Sequence, residues 1–544
     1  MWPAPPAQNS TANDECLTQD IDLANQLLDD AGYADTDGDG VRESPDGVPL
    51  KILYQTSTNT VRQATQELIK QDWAKIGVET ELRNIDASVF FGGDPASPDT
   101  YGKFYADIEM YTNGAAGVDS QSYMGSWTTP NISGKDTNWQ GSNVQRFQSD
   151  EYDTLHAELT QTADMDRRNE ITIQLNDLVV GNYSIIPLIH RGSVSAHANS
   201  LTGVKLNPWD AELWNIGDWA RGTAAPEPAP EPEEVSSGAG EGGTVTLLYW
   251  QAASTLNPYL SGGWKDRDAG SVILEPLAEF DDQGVLVPAL ATEIPTVANG
   301  GVAEDLKSIT WQLLEGVLWS DGTPLTSDDV VFSWEYCSHP DTGCANAGSY
   351  EGVTSVEAVD DLTVTVNFAE ATPFPYVPFV SNSLPVIQRA QFGNCVGAAS
   401  AECTDQNFAP IGTGPFKIES FTTNDTAVYV INEHYRGVPE GKPYFGRVVI
   451  KGGGDAPAAA RSVLELGEAD YAWNLQVEPE ILSGMVAAGK GRVVSAFSTM
   501  VERLMVNQTN PDPALGDDRT ELSLIHKSQP TRQGMMAYAV VWVI

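Results

Sequence analysis

Between Gly222 and Gly243 the chain reads GTAAPEPAPEPEEVSSGAGEGG. Proline, glutamate, glycine and serine offer no side chains for a core, so the tract is a solvated linker. Whatever folds must be built from the segments on either side, 1–221 and 244–521. The chain has 544 residues, 41% of them apolar and 14 of them Trp, enough for several well-filled cores. Its 75 acidic and 30 basic residues leave a formal net charge of −45. Such a surface repels duplexes and anionic bilayers, so nucleic-acid and membrane-surface partners are not expected. A well-solvated exterior accounts for the charge without invoking a trap for cations. The terminal MMAYAVVWVI is about half the length needed to span a bilayer. The opening MWPAPPAQNSTANDE has neither the basic nor the apolar region of a signal peptide.

In the first segment, DIDLANQLLDDAGY (Asp20 to Tyr33) predicts a helix with Ile21, Ala24, Leu27, Leu28 and Ala31 on one side, stopped at Gly32. The loop DTDGDGVRESPD follows. Asp35, Asp37 and Asp39 alternate, Gly40 takes the sharp-turn position, Val41 offers a carbonyl, Glu43 is ninth and Asp46 twelfth. That is the oxygen spacing of a structural calcium loop. A plain acidic turn is the alternative, because the twelfth residue is Asp and a strand follows. Leu50 to Gln55 reads as a strand. Thr60 to Ile76 reads as a helix with Ala64, Leu68, Trp73 and Ile76 apolar, and Val78 to Asn84 as a strand, giving the strand–helix–strand unit of a parallel sheet. A strand ending at Tyr111 opens into a Gly-rich loop with Asn113 and Asp119, then Tyr123 and Trp127. Ligands of open α/β sheets sit beyond the carboxyl ends of strands, so this stretch is a candidate pocket wall. Asp153 to Leu178 is helical with a break near Asp164, and Ile185 to Ala198 reads as strands. His190 and His197 are an odd number of residues apart and cannot share a metal if extended.

In the second segment, Thr244 to Leu260 is a strand and a loop carrying Trp250, Asn257 and Tyr259. EGVLWSDGTPLTSDDVVFSWEY (Glu315 to Tyr336) is turn chemistry followed by a helix capped at Thr326, with Val330, Val331 and Trp334 apolar. Cys337 and Cys344 bracket one short loop, and Cys395 and Cys403 another. Both spacings suit disulfides in an oxidising compartment, with reduced buried thiols as the alternative. Zinc lacks a nearby His, and Cys16 is left over. PIGTGPFKI fails as a phosphate cradle, since Lys417 replaces the third glycine. Val448 to Trp473 is a strand, a helix N-capped by Asp455, and a return strand.

Several of these stretches resemble the family 5 solute-binding proteins of ABC importers, the peptide, oligopeptide and nickel receptors. The Glu315–Tyr336 stretch is similar to the family signature, Gly412–Pro415 to its GTGP turn, the Asn257-Pro258-Tyr259 loop to one bordering its ligand cleft, and Leu206–Trp219 to its closing segment. The resemblance covers nearly all of both segments. It implies an α/β, two-lobed, periplasmic-binding-protein type II architecture with mixed sheets and a hinge. It also implies a receptor that captures a peptide or similar small solute and hands it to the transmembrane subunits of an ABC permease. Candidate ligand-binding residues are then Trp250, Asn257, Tyr259, Tyr111, Asn113, Asp119, Trp127, Trp473 and Asn474, with buried aromatic core as the rival reading of the rings. No covalent chemistry is expected, and no cofactor beyond the calcium. The protein would be a monomer, periplasmic or extracellular, and lipid-anchored in its parent form. At Ala115-Ala116-Gly117 the sequence departs from the acidic residue that pairs with a peptide's ammonium.

In the family, material like 244–521 comes first and material like 1–221 comes last, so the expected fold is circularly permuted. It is also incomplete, since the strand and helix that should join the two are missing. The tail, 522–544, contains LSLIHKSQPTRQ and resembles translated adapter sequence. A true permutant and a mis-assembled reading frame both explain this, and the second accounts for every departure with one cause. From another functional class, a secreted carbohydrate-active hydrolase using paired carboxylates would suit the acidic, Trp-rich composition, but no pair is nominated by spacing.

Overall fold

A computed structural model describes residues 8, 10–14, 18–92, 96–114, 119–222 and 238–508. Cys16, the Ala115–Gly117 loop, linker residues 223–237 and the 522–544 tail lie outside the described residues. Those described divide into two compact units, one from Met1–Ala115, Asp119–Arg191 and Thr499–Ile544, the other chiefly Gly192–Ser498.

The first unit is built on a five-stranded mixed sheet. Its strands are β1 (Lys51–Ser57), β2 (Glu79–Ile85), β3 (Ile108–Asn113), β4 (Ile185–His190) and β12 (Val501–Val506), in the order β2-β1-β3-β12-β4. β1 is parallel to β2 and β3, whereas β12 runs antiparallel to both β3 and β4. All six β12 residues are buried. Side chains alternate across a strand, and Leu504 and Val506 accordingly join the cluster of Leu28, Tyr54 and Trp73, while Met505 joins that of Tyr111, Trp127 and Tyr152.

Local signals place the helices of this unit. α1 (Ile21–Asp30) is capped by Asp20, whose side chain accepts from Leu23 N, and Gly32 at φ +85° turns the chain where a Cβ would be strained. α2 (Thr60–Ala74) is capped by Asn59. Its inward face corrects the apolar pattern expected from sequence: Arg62, Gln66, Ile69 and Trp73 are buried, while Ala64 and Leu68 face water. The reason is a partner far along the chain, because Arg62 turns inward to grip Glu502 of β12. The helical stretch after Asp150 breaks where expected, into Asp150–Gln161 and Met165–Gly181, with Asp164 capping the second.

The second unit holds a seven-stranded mixed sheet. Its strands are β5 (Ser193–Ala198), β6 (Thr244–Tyr249), β7 (Phe416–Thr422), β8 (Thr426–Ile431), β9 (Arg447–Gly452), β10 (Tyr471–Trp473) and β11 (Gly491–Ala496), ordered β7-β8-β9-β6-β10-β5-β11. β6 is parallel to β9 and β10, and β5 is antiparallel to β10 and β11. A separate antiparallel sheet of Ser308–Gln312, Thr363–Phe368 and Val353–Asp360 lies in the same unit. α3 (Trp264–Gly270) follows β6. α4 (Ser327–Ser338) starts at the Thr326 cap read from sequence, and the structure adds the reciprocal bond, Thr326 N donating to Asp329 Oδ2 at 3.1 Å. Asp329 also accepts from Trp319 Nε1 and Arg389 N, fixing the turn against the helix. Cys337 is bonded to Cys344, and Cys395 to Cys403.

Each sheet therefore contains an inner strand from across the linker: β12 in the first unit, β5 in the second. The residues flanking the linker meet, with Arg221 Nη2 donating to Thr244 O at 3.0 Å.

Candidate functional site

β6 and β10 are parallel neighbours, with Tyr249 opposite Trp473. Their carboxyl ends carry Trp250 and Asn474, and the position beyond such ends is where an open α/β sheet accepts ligands. The Tyr249 and Trp473 rings stack at 4.5 Å and 12°. Trp250 Nε1 donates to Asn474 O at 2.8 Å, and Asn474 N donates to Ser195 Oγ at 2.9 Å. Asn474 sits at φ +47°, a left-handed conformation that Asn adopts more readily than most residues. Trp250, Trp473 and Asn474 are thus brought together.

Behind them lies a buried acidic pair. Trp473 Nε1 donates to Asp268 Oδ2 at 2.8 Å, and Glu212 N donates to Asp268 Oδ1 at 3.0 Å. Ser195 Oγ and Tyr471 OH both donate to Glu212 Oε1. Burial, reinforced by the charge on Asp268, pushes the Glu212 carboxyl up to about 8. Burial raises Asp268 to about 6, with Arg267 opposing. Burial thus favours the protonated form of Glu212, whose Oε1 carries both Ser195 and Tyr471. Sequence reading missed Glu212, Asp268, Arg267 and Ser195. The available signal was WKDRDAGSVIL, where charges run straight into an apolar stretch; a solvated helix face is the ordinary reading of such a run.

The other candidates lie elsewhere. Asn257 is fully buried, its amide donating to Asn407 Oδ1 (2.9 Å) and Tyr336 OH (3.2 Å) and its Oδ1 accepting from Tyr259 N. Tyr259 OH donates to Pro385 O at 2.6 Å. Both join core elements of the second unit. Tyr111, Asn113, Asp119 and Trp127 belong to the first unit. Tyr111 packs edge-on against Phe90, Phe91 and Tyr101. Asn113 Oδ1 accepts from Gly114 N. Asp119 takes both its bonds to Arg168 from Nη2, at 2.6 and 2.7 Å. Trp127 lies edge-on to Tyr123 with Arg503 over its ring.

Asp35, Asp37, Asp39 and Glu43 each offer a carboxylate oxygen within 4.8 Å of the others, the three Asp exposed and Glu43 buried. Backbone amides hold them in place: Gly38 N and Gly40 N donate to Asp35, Asp39 N to Asp37, and Val41 N to Asp39. Glu43 Oε2 also accepts from Thr36 N and Oγ1. Asp46 is not in the group. These are hard oxygen donors of the kind calcium takes, four of the roughly six to eight such an ion gathers.

A family model described as bacterial extracellular solute-binding proteins, family 5 Middle, matches residues 1–135 and 285–519. The chain belongs to that family. Protein XP55 of Streptomyces lividans is 30% identical over 210 residues, covering 38% of this chain and 36% of that protein. A putative ABC transporter peptide-binding protein of Brucella ovis is 26% identical over 238 residues (44% and 42%). A probable D,D-dipeptide-binding periplasmic protein of Escherichia coli is 28% identical over 225 residues, 41% of each. The oligopeptide-binding protein AppA of Bacillus subtilis, solved with a nonapeptide, gives a TM-score of 0.38 at 24% identity, covering 42% of this chain and 44% of that one. The chain thus spans roughly two fifths of the curated relatives it matches. Among the described residues no helix is long and apolar enough to cross a membrane.

Proposed function

We propose that this chain is the extracytoplasmic receptor of an ABC importer, capturing a peptide or similar small solute and delivering it to the transmembrane permease subunits. The observation that carries the reading is the Trp250–Trp473–Asn474 cluster at the carboxyl ends of two parallel strands, in a chain of this family. Aromatic faces with a few fixed polar groups are what a small-solute site needs, and capture requires no bond to break. The protein works as a monomer in the periplasm or outside the cell. The acidic loop at Asp35–Glu43 holds a structural calcium ion through Asp35, Asp37, Asp39, the Val41 carbonyl and Glu43.

Calorimetry of the full chain against a set of short peptides tests the receptor reading. Saturable binding with no product, weakened about ten-fold or more by Trp250→Ala, is the expected result. Turnover of a glycoside, or no peptide bound at any length, refutes it.

A further inference from the structure

β11 closes one side of the seven-stranded sheet, paired antiparallel with β5. Opposite Arg492 in that pairing stands His197, and side chains directly opposite share a face of the sheet. His197 is 1% exposed, whereas Arg492 lies at the surface. Both nitrogens of the ring are engaged. Nδ1 lies 2.9 Å from Ala198 O, and Arg492 Nε donates to Nε2 at 3.1 Å. A carbonyl can only accept, so Nδ1 carries the proton; an arginine N–H can only donate, so Nε2 offers a lone pair. The two contacts together admit one state of the ring, the neutral Nδ1–H tautomer. A second proton, on Nε2, would set N–H against N–H and cation against cation.

The acids on the neighbouring elements are committed elsewhere. Tyr471, opposite His197 on β10, gives its hydroxyl to Glu212. Asp470 beside it takes Arg221, at 2.8 and 3.0 Å. On the other face of β5, Ala196 packs with Val463 and Leu464, and the adjacent Glu465 pairs with Arg461. Lys490, just before β11, lies alongside Gly467. Burial first, and then the charge on Arg492, hold the ring below the ordinary histidine range, with the Ala198 carbonyl opposing. We propose that His197 and Arg492 form a pH latch: neutral His197 holds β11 on the sheet, and a protonated ring drives Arg492 into the water and frees the strand. The folded ring takes its proton less readily than the unfolded one. The latch therefore contributes in full above about pH 6.5 and is lost as pH falls from there through the lower folded value. Ser195 lies two residues before His197, hence on the same face, and anchors Asn474 N. Release of β11 thus bares the strand that supports the aromatic wall.

Amide hydrogen exchange of the full chain, read by mass spectrometry at about pH 7.5 and about pH 5 and corrected for intrinsic rates, tests the latch. It needs no solute, so its outcome is independent of the receptor reading. Protection of Gly491–Ala496 is expected to fall on acidification, about ten-fold for each pH unit by which folding lowers the ring's value. β8 and β9, towards the far side of the same sheet, are expected to keep theirs. His197→Gln cannot take up a proton and is expected to abolish the fall. Arg492→Gln removes the opposing charge at a surface position and is expected to shrink it. In nitrogen NMR of the histidine rings, His197 is expected to show the Nδ1–H tautomer and to titrate below the ordinary range. Should His197→Gln fail to fold, Arg492→Gln and the ring spectrum decide the matter between them. No fall in the wild type, a fall of equal size in the variants, or a ring protonated on Nε2 at neutral pH overturns the proposal.

Discussion

Cutting the linker should leave two fragments that fold only together. β12 comes from after the linker yet lies inside the first unit's sheet, between β3 and β4. Its Val501, Leu504, Met505 and Val506 are all buried. Fully burying a side chain of this kind stabilises by about 1.5–3 kcal/mol, so the strand contributes roughly 6–12 kcal/mol to its unit, comparable to the whole stability of a typical domain. An isolated 1–222 fragment therefore lacks the means to fold. The tether itself matters less. Its flanking residues touch, as the Arg221–Thr244 bond shows, and a short tether supplies an effective concentration of about 1 mM. Working at about 10 μM without it forfeits a factor of about 100, or about 2.7 kcal/mol. A protease site placed in the Pro/Glu tract, followed by size exclusion and circular dichroism, reads the outcome. The nicked protein is expected to elute as one species with native tryptophan fluorescence and a midpoint that falls on dilution. Two separately folded fragments, or a lone 1–222 that melts cooperatively, would refute the strand exchange.

Three further outcomes follow from the buried charges and the acidic loop. Glu502 is held below its ordinary range by Arg62 and Arg191 despite burial; its contribution is complete above the unfolded carboxylate value and is lost as pH falls through the lower folded one. Glu502→Gln, which removes the carboxylate that Arg62 and Arg191 share, is expected to cost about 3–5 kcal/mol at neutral pH in urea unfolding, and an unchanged midpoint would count against the network. Glu212, at about 8 when folded, takes up a proton that the unfolded chain releases, so stability should decline as pH rises from about 4.5 to about 8. Glu212→Gln keeps an acceptor for Ser195 and Tyr471 and should flatten that decline; a melt series with the same slope in both proteins would show that Glu212 is ionised. Calcium at 100 times its Kd should stabilise by about 2.7 kcal/mol, raising the melting midpoint over that in chelator, and Asp37→Ala should abolish the rise; identical melts with and without calcium would leave the loop as a plain acidic turn.

What was legible in the sequence was local. Thr326 and Asp455 announce helix starts through caps that need no distant partner, and both caps are found. The strands read at Leu50–Gln55 and from Thr244 fall where expected, at Lys51–Ser57 and Thr244–Tyr249. Legibility stopped where the deciding partner is remote. Arg62 faces inward because of a carboxylate 440 residues away, and no window of helical periodicity can reveal that. Among the site residues, Trp250, Trp473 and Asn474 were named through the family resemblance and meet at strand ends, whereas Asn257 and Tyr259, named the same way, are held inside the core by Asn407, Tyr336 and Pro385.

The same interleaving ties the candidate site to assembly. Ser195 and Glu212 precede the linker, while Asp268, Tyr471, Trp473 and Asn474 follow it. Trp250 to Asn474 and Trp473 to Asp268 stay within the later segment, but the bonds that anchor this group from behind cross that divide: Ser195 to Asn474, Glu212 to Tyr471 and to Asp268. A wall so held cannot exist in either segment alone, because removing one leaves the other's buried polar groups unpaired at a cost of about 1–3 kcal/mol each. Solute affinity should therefore track the assembled fraction of nicked protein through a dilution series, falling at the same concentration as the far-ultraviolet signal. Affinity that persisted after the fragments had parted would place the site within one segment and exclude Glu212 and Ser195 from it.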